Sequence, residues 1–472
     1  MFTPAADRTG TARCTDISHS RFRALLIAGL FIRLAALPLE GTEDVLVWKT
    51  WSYGALNQGL SSLYGVGGQP PERGLVRWGE RVTTVDYPPI ALYELAATGA
   101  VYRTFSPSFE NNRWLNVAIK IPVLLAEIAL AWLLFHVVGR RYGESAGMWA
   151  AAAYWANPAM ILAGSVLGYL DPLMALPALG AIAAATLEAP ILAGALISIA
   201  CLTKVQAIFM LPVVALALWN TAPRWRARRI VIAALSASAV VFTALLPYLM
   251  AGALRNVAQG VGSLLRHDML SAYAANFWWV ITYVMRASYA SGDLGAWAAW
   301  TMPLRILGMS TIIKLGYPNP RPGATLAIVT AAAWALWRAR RSVDMSLMFA
   351  VAAFVVHAYF VLGVAVHENH LYLAVPLLAA AAASRPRLRP VLAGVSGVLA
   401  LNLYLFYGLG RGLPLPPRNL TIVDSTVPLA LANCALFVWH ARLFSAECSQ
   451  PSLPRRDAAY HDLLRERENG TV

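Results

Sequence analysis

The sequence has few charged residues. They make up 13% of the 472 residues, and 58% are hydrophobic, whereas soluble globular domains carry roughly 25% charged residues. This shortage excludes an ordinary soluble domain. Together, the apolar runs predict an all-α polytopic membrane protein with about 11–13 transmembrane helices, because each approaches the ~20 residues that a span needs. The runs are 24–39, 115–138, 146–167, 173–187, 191–219, 230–250, 322–337, 345–366, 371–383, 391–409 and 426–443.

Cysteine is also scarce, and several motifs are missing. The four cysteines, Cys14, Cys201, Cys434 and Cys448, are scattered without metal-ligand spacing and without the pattern of a disulfide framework. There is no Asp-x-Asp motif and no nucleotide-sugar-binding pattern. The sequence therefore predicts neither a metal nor a cofactor.

The net charge of +14 lies in short basic clusters between apolar runs, at 224–229, 338–341 and 385–390. This is the positive-inside pattern, which sets membrane orientation, and it argues against a nucleic-acid partner. Membrane lipids are the expected surroundings. Residues 1–23 are basic and precede an apolar run without a clear cleavage site, so we interpret that run as an uncleaved first helix.

With the basic clusters placed inside, the chain divides into five parts. These are a cytoplasmic N-terminus (1–23), a transmembrane module (24–250) with a long external loop (40–89), an external amphipathic segment with short helices (251–321), C-terminal transmembrane helices (322–443) and a cytoplasmic tail (444–472). The number of membrane crossings between residues 86 and 224 is inconsistent. An odd number is needed between residue 86 outside and residue 140 inside, but two apolar runs, 90–104 and 115–138, lie between them. Either 90–104 is re-entrant or one loop is assigned to the wrong side.

An acidic segment at 41–56 follows the first apolar run. If it is helical, Asp44, Trp48 and Trp51 share one face, and Glu43 is a neighbouring carboxylate. A carboxylate beside two indoles is suited to hold a sugar, because CH groups stack on aromatic rings while hydroxyls need acceptors. The alternative is an interfacial helix with tryptophans at the headgroup level.

Ionisable residues inside apolar runs cost on the order of 2.5–3.5 kcal/mol each on insertion scales and mark candidate sites. Lys120 and Glu127, seven residues apart, are predicted to form a structural pair. Asp171 is either a helix N-cap or a site residue. Lys204 lies beside Gln206 at a helix break, which is tolerated at membrane depth only where the backbone lines protein or a cavity.

Two further polar blocks follow. His367 and His370, with Glu368 between them, share a helix face if the block is helical, and they fit recognition of a phosphate better than a metal site. In the external segment, Arg266 and His267 lie near Trp278, which fits either contact with lipid phosphates or an ordinary membrane-surface helix.

Six stretches together resemble the GT-C superfamily of integral-membrane glycosyltransferases. The likeness is strongest to lipid-linked-oligosaccharide glucosyltransferases and to bacterial enzymes that use polyprenyl-phosphate sugars. The stretches occur in the family's order, at 44–51, 85–95, 157–175, 202–212, 271–279 and 366–376.

The resemblance implies a GT-C fold whose catalytic module is 24–250, with the active site at the external face under the first loop. It implies that Asp44 is the general base and that His367 and Glu368 lie by the donor phosphate. The family's Gly-Gln-x-Asp is Gly168-Tyr169-Leu170-Asp171 here, so the glutamine is replaced.

These observations predict an inverting glycosyltransferase that moves a hexose of the glucose or mannose class from a polyprenyl-phosphate donor. The acceptor is a lipid-linked glycan, a polysaccharide or a protein, and the setting is a bacterial inner membrane with the site facing the periplasm. The alternative is a secondary transporter or lipid flippase, since broken helices and buried charges also mark transport sites; no clear inverted repeat supports it.

Besides the base Asp44, the predicted site has three groups of residues. The secondary acidic residues are Glu43, Asp86 and Asp171. The donor-binding residues are Lys204, Gln206, His367, Glu368, His370, Arg266 and His267. The aromatic contacts are Trp48, Trp51, Tyr87 and Trp278.

Overall fold

The computed structural model describes residues 17–65, 74–221, 224–263, 269–294, 319–417 and 424–450. The regular elements of the described chain are helices and one antiparallel hairpin, β1 (Val76–Trp78) and β2 (Arg81–Thr83). The helices are α1 His19–Ala36, α2 Glu43–Asn57, α3 Pro89–Phe105, α4 Arg113–Tyr142, α5 Glu144–Trp155, α6 Pro158–Ile161, α7 Asp171–Thr186, α8 Pro190–Thr203, α9 Leu211–Thr221, α10 Arg226–Met250, α11 Leu254–Ser263, α12 Phe277–Leu294, α13 Arg321–Ala339, α14 Met345–Leu362, α15 Ala374–Ser384, α16 Arg389–Tyr407 and α17 Thr426–Cys448.

Several of these helices suit a membrane. In the described ranges, five stretches of 18 residues or more are apolar enough to cross one, and they contain α4, α10, α14, α16 and α17. Shorter apolar helices, among them α7, α8 and α15, pack with them. The protein is therefore an all-α, multi-pass integral membrane protein, as the apolar runs predict.

The basic clusters gather at one end of the bundle, which we call the basic end. Arg385, after α15, forms an ion pair with Asp344, before α14, and donates to Glu447 Oε2 in α17 at 2.8 Å. Tyr142, at the end of α4, donates to Asp344. Arg338 donates to the Ser445 carbonyl at 2.9 Å. The contacts thus place these loops on one side, as the positive-inside pattern requires.

The packing of helices α2 and α3 explains why the number of membrane crossings predicted from the sequence is inconsistent. They run side by side in the same direction, with Ser52 Oγ donating to the Leu95 carbonyl at 2.7 Å and Arg103 donating to Asn57 Oδ1 at 2.9 Å. Tyr102, near the end of α3, donates to the Glu110 carbonyl at 2.8 Å, just before α4 begins. Residues 90–104 therefore return to the start of α4 without reaching the basic end.

Three apolar runs are not continuous helices, and the sequence predicts the break in only one of them, the run 191–219. The run 146–167 breaks at Asn157, whose side chain caps Ala159 N at 3.0 Å and whose successor is a proline, a residue that favours the start of a helix. The run 191–219 breaks at Lys204, which has an extended backbone. The run 371–383 is helical only from Ala374.

The predicted pair of Lys120 and Glu127 is wrong. Glu127 Oε2 accepts from Arg33 Nε at 3.1 Å. Lys120 Nζ instead donates to two backbone carbonyls, those of Leu39 at 2.8 Å and Val166 at 2.7 Å. Each charge finds a partner on a different segment, because buried polar groups must be satisfied wherever partners lie.

Candidate functional site

Five segments meet at the end of the bundle opposite the basic end. They are the residues around Asp44, the turn 86–87, the turn 168–171, the helix break 204–206 and the turn 366–370. Thr42 N donates to the Leu167 carbonyl at 3.1 Å, which joins the first segment to the third. The predicted site residues thus converge from distant parts of the sequence.

Asp44 lies in the first turn of α2, where the positive end of the helix dipole favours a carboxylate. Its side chain is partly exposed, and within the described ranges no hydrogen-bond donor engages it. Burial raises the pKa of Asp44 from 3.8 to about 6; the Lys204 charge opposes this, and the charges of Asp171 and Glu43 add to it. Asp44 is thus a more basic carboxylate than usual, and the described part of the chain leaves its oxygens without a donor.

The indoles of Trp48 and Trp51 lie beneath Tyr87. They are 1% and 2% exposed, and their rings are 6.4 Å and 5.6 Å from the Tyr87 ring. Trp48 also packs edge-on against Tyr169 at 6.5 Å. The prediction that a sugar stacks directly on these indoles is therefore wrong for this arrangement, because Tyr87, itself half-buried, covers both rings.

Asp171 and Lys204 form a buried ion pair. Lys204 Nζ donates to Asp171 Oδ1 at 2.8 Å and to Oδ2 at 2.9 Å, and Asn369 Nδ2 donates to Oδ2 at 2.8 Å. Leu170 is the N-cap of α7, and Asp171 makes no capping bond. The N-cap alternative for Asp171 is excluded, and the ammonium of Lys204 also lies 5.8 Å above the Tyr87 ring.

Glu368 faces the same cluster from the turn after α14. Tyr169 OH donates to Glu368 Oε1 at 2.6 Å. Burial, with a smaller contribution from the negative charge of Asp44, raises the pKa of Glu368 to about 7. The pKa of Asp86 is raised for the same reasons: burial is the main cause, the charge of Asp44 contributes, and the pKa is about 6.

The two histidines lie in a turn and not on a helix face, since α15 begins only at Ala374. His370 hydrogen-bonds the Gln206 amide through Nε2 at 2.7 Å and Tyr359 OH through Nδ1 at 2.9 Å. The His367 ring is 5.3 Å from that of His370, and its Nδ1 is 3.9 Å from Glu368 Oε2. His370 is held by the protein, whereas His367 keeps about a third of its side chain exposed.

Other predicted residues lie elsewhere. Glu43 is 65% exposed and pairs with Arg411 at 3.1 Å and Arg81 at 3.4 Å, so it forms a surface cluster. Trp278 Nε1 donates to the Leu362 carbonyl at 2.8 Å and fixes the end of α14. Arg266 and His267 lie outside the described residues. No group of three or more His, Cys, Asp or Glu that could hold a metal ion is found in the described ranges.

Sequence reasoning missed Tyr169, Asn369 and Tyr407 as members of the cluster. Tyr169 stands between Gly168 and Asp171, and Asn369 follows the His-Glu pair, so the sequence neighbours of both residues could have pointed to the site. Tyr407, whose ring is 6.5 Å from that of Tyr169, lies at the end of an ordinary apolar helix and carries no such signal.

The raised pKa of Asp44 predicts how stability depends on pH. Because its folded pKa, about 6, is above the 3.8 of an unperturbed carboxyl, the folded state binds more protons, so this group favours folding below about pH 4 and loses that contribution as pH rises through 6. We expect the Tm of the wild type in detergent to fall more between pH 5 and pH 8 than that of Asp44→Asn. Equal falls in both would contradict the raised pKa.

The fold and the site together define the class of protein. It is a multi-pass membrane protein with a cluster of acidic, basic and aromatic side chains at one end. Solved structures are similar to it over most of its length. ArnT from Cupriavidus metallidurans in the apo state is 14% identical, with a TM-score of 0.48 over 91% of this chain and 77% of that chain.

The same protein bound to undecaprenyl phosphate has a TM-score of 0.40 at 14% identity, over 91% of this chain and 78% of that one. The oligosaccharyltransferase AglB from Archaeoglobus fulgidus, in complex with an inhibitory peptide and a dolichol-phosphate, is 12% identical with a TM-score of 0.38, over 92% of this chain and 56% of that one. No protein-family model matches the sequence, and no curated protein matches it. These structural likenesses concern the fold alone.

Proposed function

We propose that the protein is an inverting glycosyltransferase that moves a hexose, of the glucose or mannose class, from a polyprenyl-phosphate donor to an acceptor hydroxyl. One observation carries the proposal. Asp44 is a partly exposed carboxylate with a pKa raised to about 6, it has no hydrogen-bond donor within the described ranges, and it lies in the field of the Lys204 ammonium. A base and a cation side by side are what this transfer needs.

The reaction follows from these two groups. Asp44 accepts the proton of the acceptor hydroxyl while that oxygen forms a bond to the anomeric carbon. The bond from that carbon to the phosphate oxygen breaks at the same time, and its electron pair leaves with the polyprenyl phosphate. The protonated Asp44 then loses its proton to solvent. A single displacement from behind inverts the anomeric centre.

The leaving phosphate needs positive charge and hydrogen-bond donors. Lys204 supplies an ammonium that Asp171 holds in place, and Asn369 donates to the same Asp171 carboxylate. His367, partly exposed and close to Glu368, supplies an imidazole on the same side. Fixed donors aimed at a developing charge stabilise a transition state more than mobile water does, so we assign the donor phosphate to the space beside Lys204 and His367.

The donor's lipid chain requires an apolar surface that is continuous with the membrane. An apolar groove of about 380 Å³ lies on α10 and is lined by Val241, Phe242, Leu245, Leu249 and Leu254, among others. Tyr93, six residues after Tyr87, donates to the Ala244 carbonyl at 2.6 Å. Helix α10, which carries the groove, therefore contacts α3, the helix that follows Asp86 and Tyr87, and this suits a prenyl chain whose headgroup enters the cluster.

The site lies opposite the basic end, so the positive-inside rule assigns it to the external face, the periplasm if the membrane is a bacterial inner membrane. The acceptor, a lipid-linked glycan, a polysaccharide or a protein, approaches from that side. The donor itself stays in the bilayer with its headgroup at the surface.

The test is sugar transfer by the purified protein in detergent, with a panel of synthetic polyprenyl-phosphate hexoses and a panel of acceptors. We expect one donor to be consumed with release of polyprenyl phosphate. The break at Lys204 and the π-helical turn at Leu162–Val166 are also typical of transporters. Movement of a lipid or solute across liposomes, with no donor consumed, would establish that rival.

A further inference from the structure

The turn that carries Tyr169 and Asp171 follows an unusual stretch of helix. Leu167 N donates to the Leu162 carbonyl at 2.8 Å, five residues back, so Leu162–Val166 is a π-helical turn. Such turns are rare, occur mostly as single turns inside α-helices and are frequent at functional sites. Gly168, two residues after this turn, has a φ of +79°, a left-handed conformation that glycine adopts readily. This local geometry sets where Tyr169 and Asp171 lie.

Helix α4 holds this π-helical turn with two charged side chains. Glu127 Oε2 accepts from Ser165 Oγ at 3.1 Å, and Lys120 Nζ donates to the Val166 carbonyl at 2.7 Å. Both charges are fully buried, a placement that is costly unless the groups have a purpose or good partners. The turn is shaped to receive them. A side chain at Gly164 would lie 2.7 Å from Glu127, and one at Gly168 would lie 3.0 Å from Lys120.

Lys120 has a second partner on the other side of the site. Its ammonium donates to the Leu39 carbonyl at 2.8 Å, five residues before Asp44. One cation therefore joins the segment that carries the proposed base to the segment that carries Tyr169 and Asp171. The bond from Thr42 N to the Leu167 carbonyl extends the same junction toward α2.

We infer that Lys120 is a positioning residue, which fixes the separation between Asp44 and the Tyr169–Asp171 turn by bridging the carbonyls of Leu39 and Val166. The kinetic part of this inference rests on the proposed function; the bridging part does not. The Lys120 ammonium hydrogen-bonds the two backbone carbonyls. Lys120 therefore acts through Asp44 and Asp171 and not on the sugar.

The chain offers a matched control one turn earlier on α4. Asn116 Nδ2 donates to the Pro38 carbonyl at 2.9 Å, so Asn116→Ala loosens the first segment without touching Val166. Lys120→Met removes both bonds of the ammonium and keeps the apolar stem. Lys120→Gln keeps an N–H donor on a shorter chain and serves as the second variant if Lys120→Met fails to fold.

The first measurement is amide hydrogen exchange, which needs no substrate. In Lys120→Met we expect exchange about tenfold faster in peptides covering both 39–46 and 163–171, because each carbonyl loses a hydrogen bond from a charged donor. Asn116→Ala should affect only the first peptide, and Lys120→Gln should be intermediate. Wild-type protection of both peptides in Lys120→Met would overturn the bridge, whether or not the protein transfers sugar.

The second measurement is steady-state kinetics with the donor that the wild type consumes. We expect Lys120→Met to lower kcat by about 10²-fold, the effect of misplacing reacting groups by an ångström, with the donor KM within about threefold of wild type and Asn116→Ala near wild type. An unchanged kcat with both peptides deprotected would overturn the positioning role. A wild type that consumes no donor would defeat the proposed function instead, and the exchange result would still decide the bridge.

Discussion

Asp44→Asn is expected to lower kcat for sugar transfer by about 10²–10⁴-fold, the contribution of a positioned general base. Asparagine has nearly the same shape but accepts no proton from the acceptor hydroxyl. Because the charge of Asp44 opposes a bound phosphate, donor affinity should be unchanged or slightly higher. Single-turnover transfer and equilibrium binding of a labelled donor measure the two quantities separately.

The matched control is Glu40→Gln, which makes the same change of charge on an exposed carboxylate four residues away. It should keep kcat within about threefold of wild type, since exposed charges contribute little. Near-normal transfer by Asp44→Asn, together with loss of transfer in Glu43→Gln, would mean that the base is the neighbouring carboxylate.

Lys204→Met is expected to have the second large effect, on both stability and transfer. Among the described residues, it leaves the buried carboxylate of Asp171 with only Asn369 as a partner, and removing one member of a buried ion pair costs about 3–5 kcal/mol. It also removes the cation proposed to stabilise the leaving phosphate. Thermal unfolding in detergent should show a clearly lower Tm, and kcat should fall with it.

The double variant Lys204→Met/Asp171→Asn separates these two roles. With the unpaired charge removed, most of the lost Tm should return, because a buried amide is far less costly than a buried carboxylate. Transfer should stay low, since the cation is still missing. Recovery of both Tm and transfer would show that Lys204 is structural and has no part in the chemistry.

The sequence predicts the parts of the site that depend on local pattern. The helix at 43–56 is present as α2, because its apolar residues recur at helical spacing and its acidic residues stand in the first turn. The break at Lys204 lies where polar residues interrupt an apolar run. The fold brings Asp44, Asp171 and Lys204 together. The sequence already marks them as candidates, because each is an ionisable residue in or beside an apolar run.

Long-range pairing is what the sequence does not reveal. Lys120 and Glu127 share a helix face, yet each finds a partner on another segment, because spacing along one helix does not say which other helices pack against that face. Likewise, Trp48 and Trp51 share a face with Asp44, but only the position of Tyr87 decides that they are covered. Burial and tertiary partners, and not residue type, separate these outcomes.

The anomeric configuration of the product tests the central claim most directly, because one base acting in one displacement requires inversion. The measurement is proton NMR of the glycoside formed by the wild type from a donor of defined configuration. A β-linked polyprenyl-phosphate hexose should give an α-linked product, with no labelled sugar left covalently on the protein. A β-linked product would contradict the account, since retention needs two displacements and a nucleophile in place of a base.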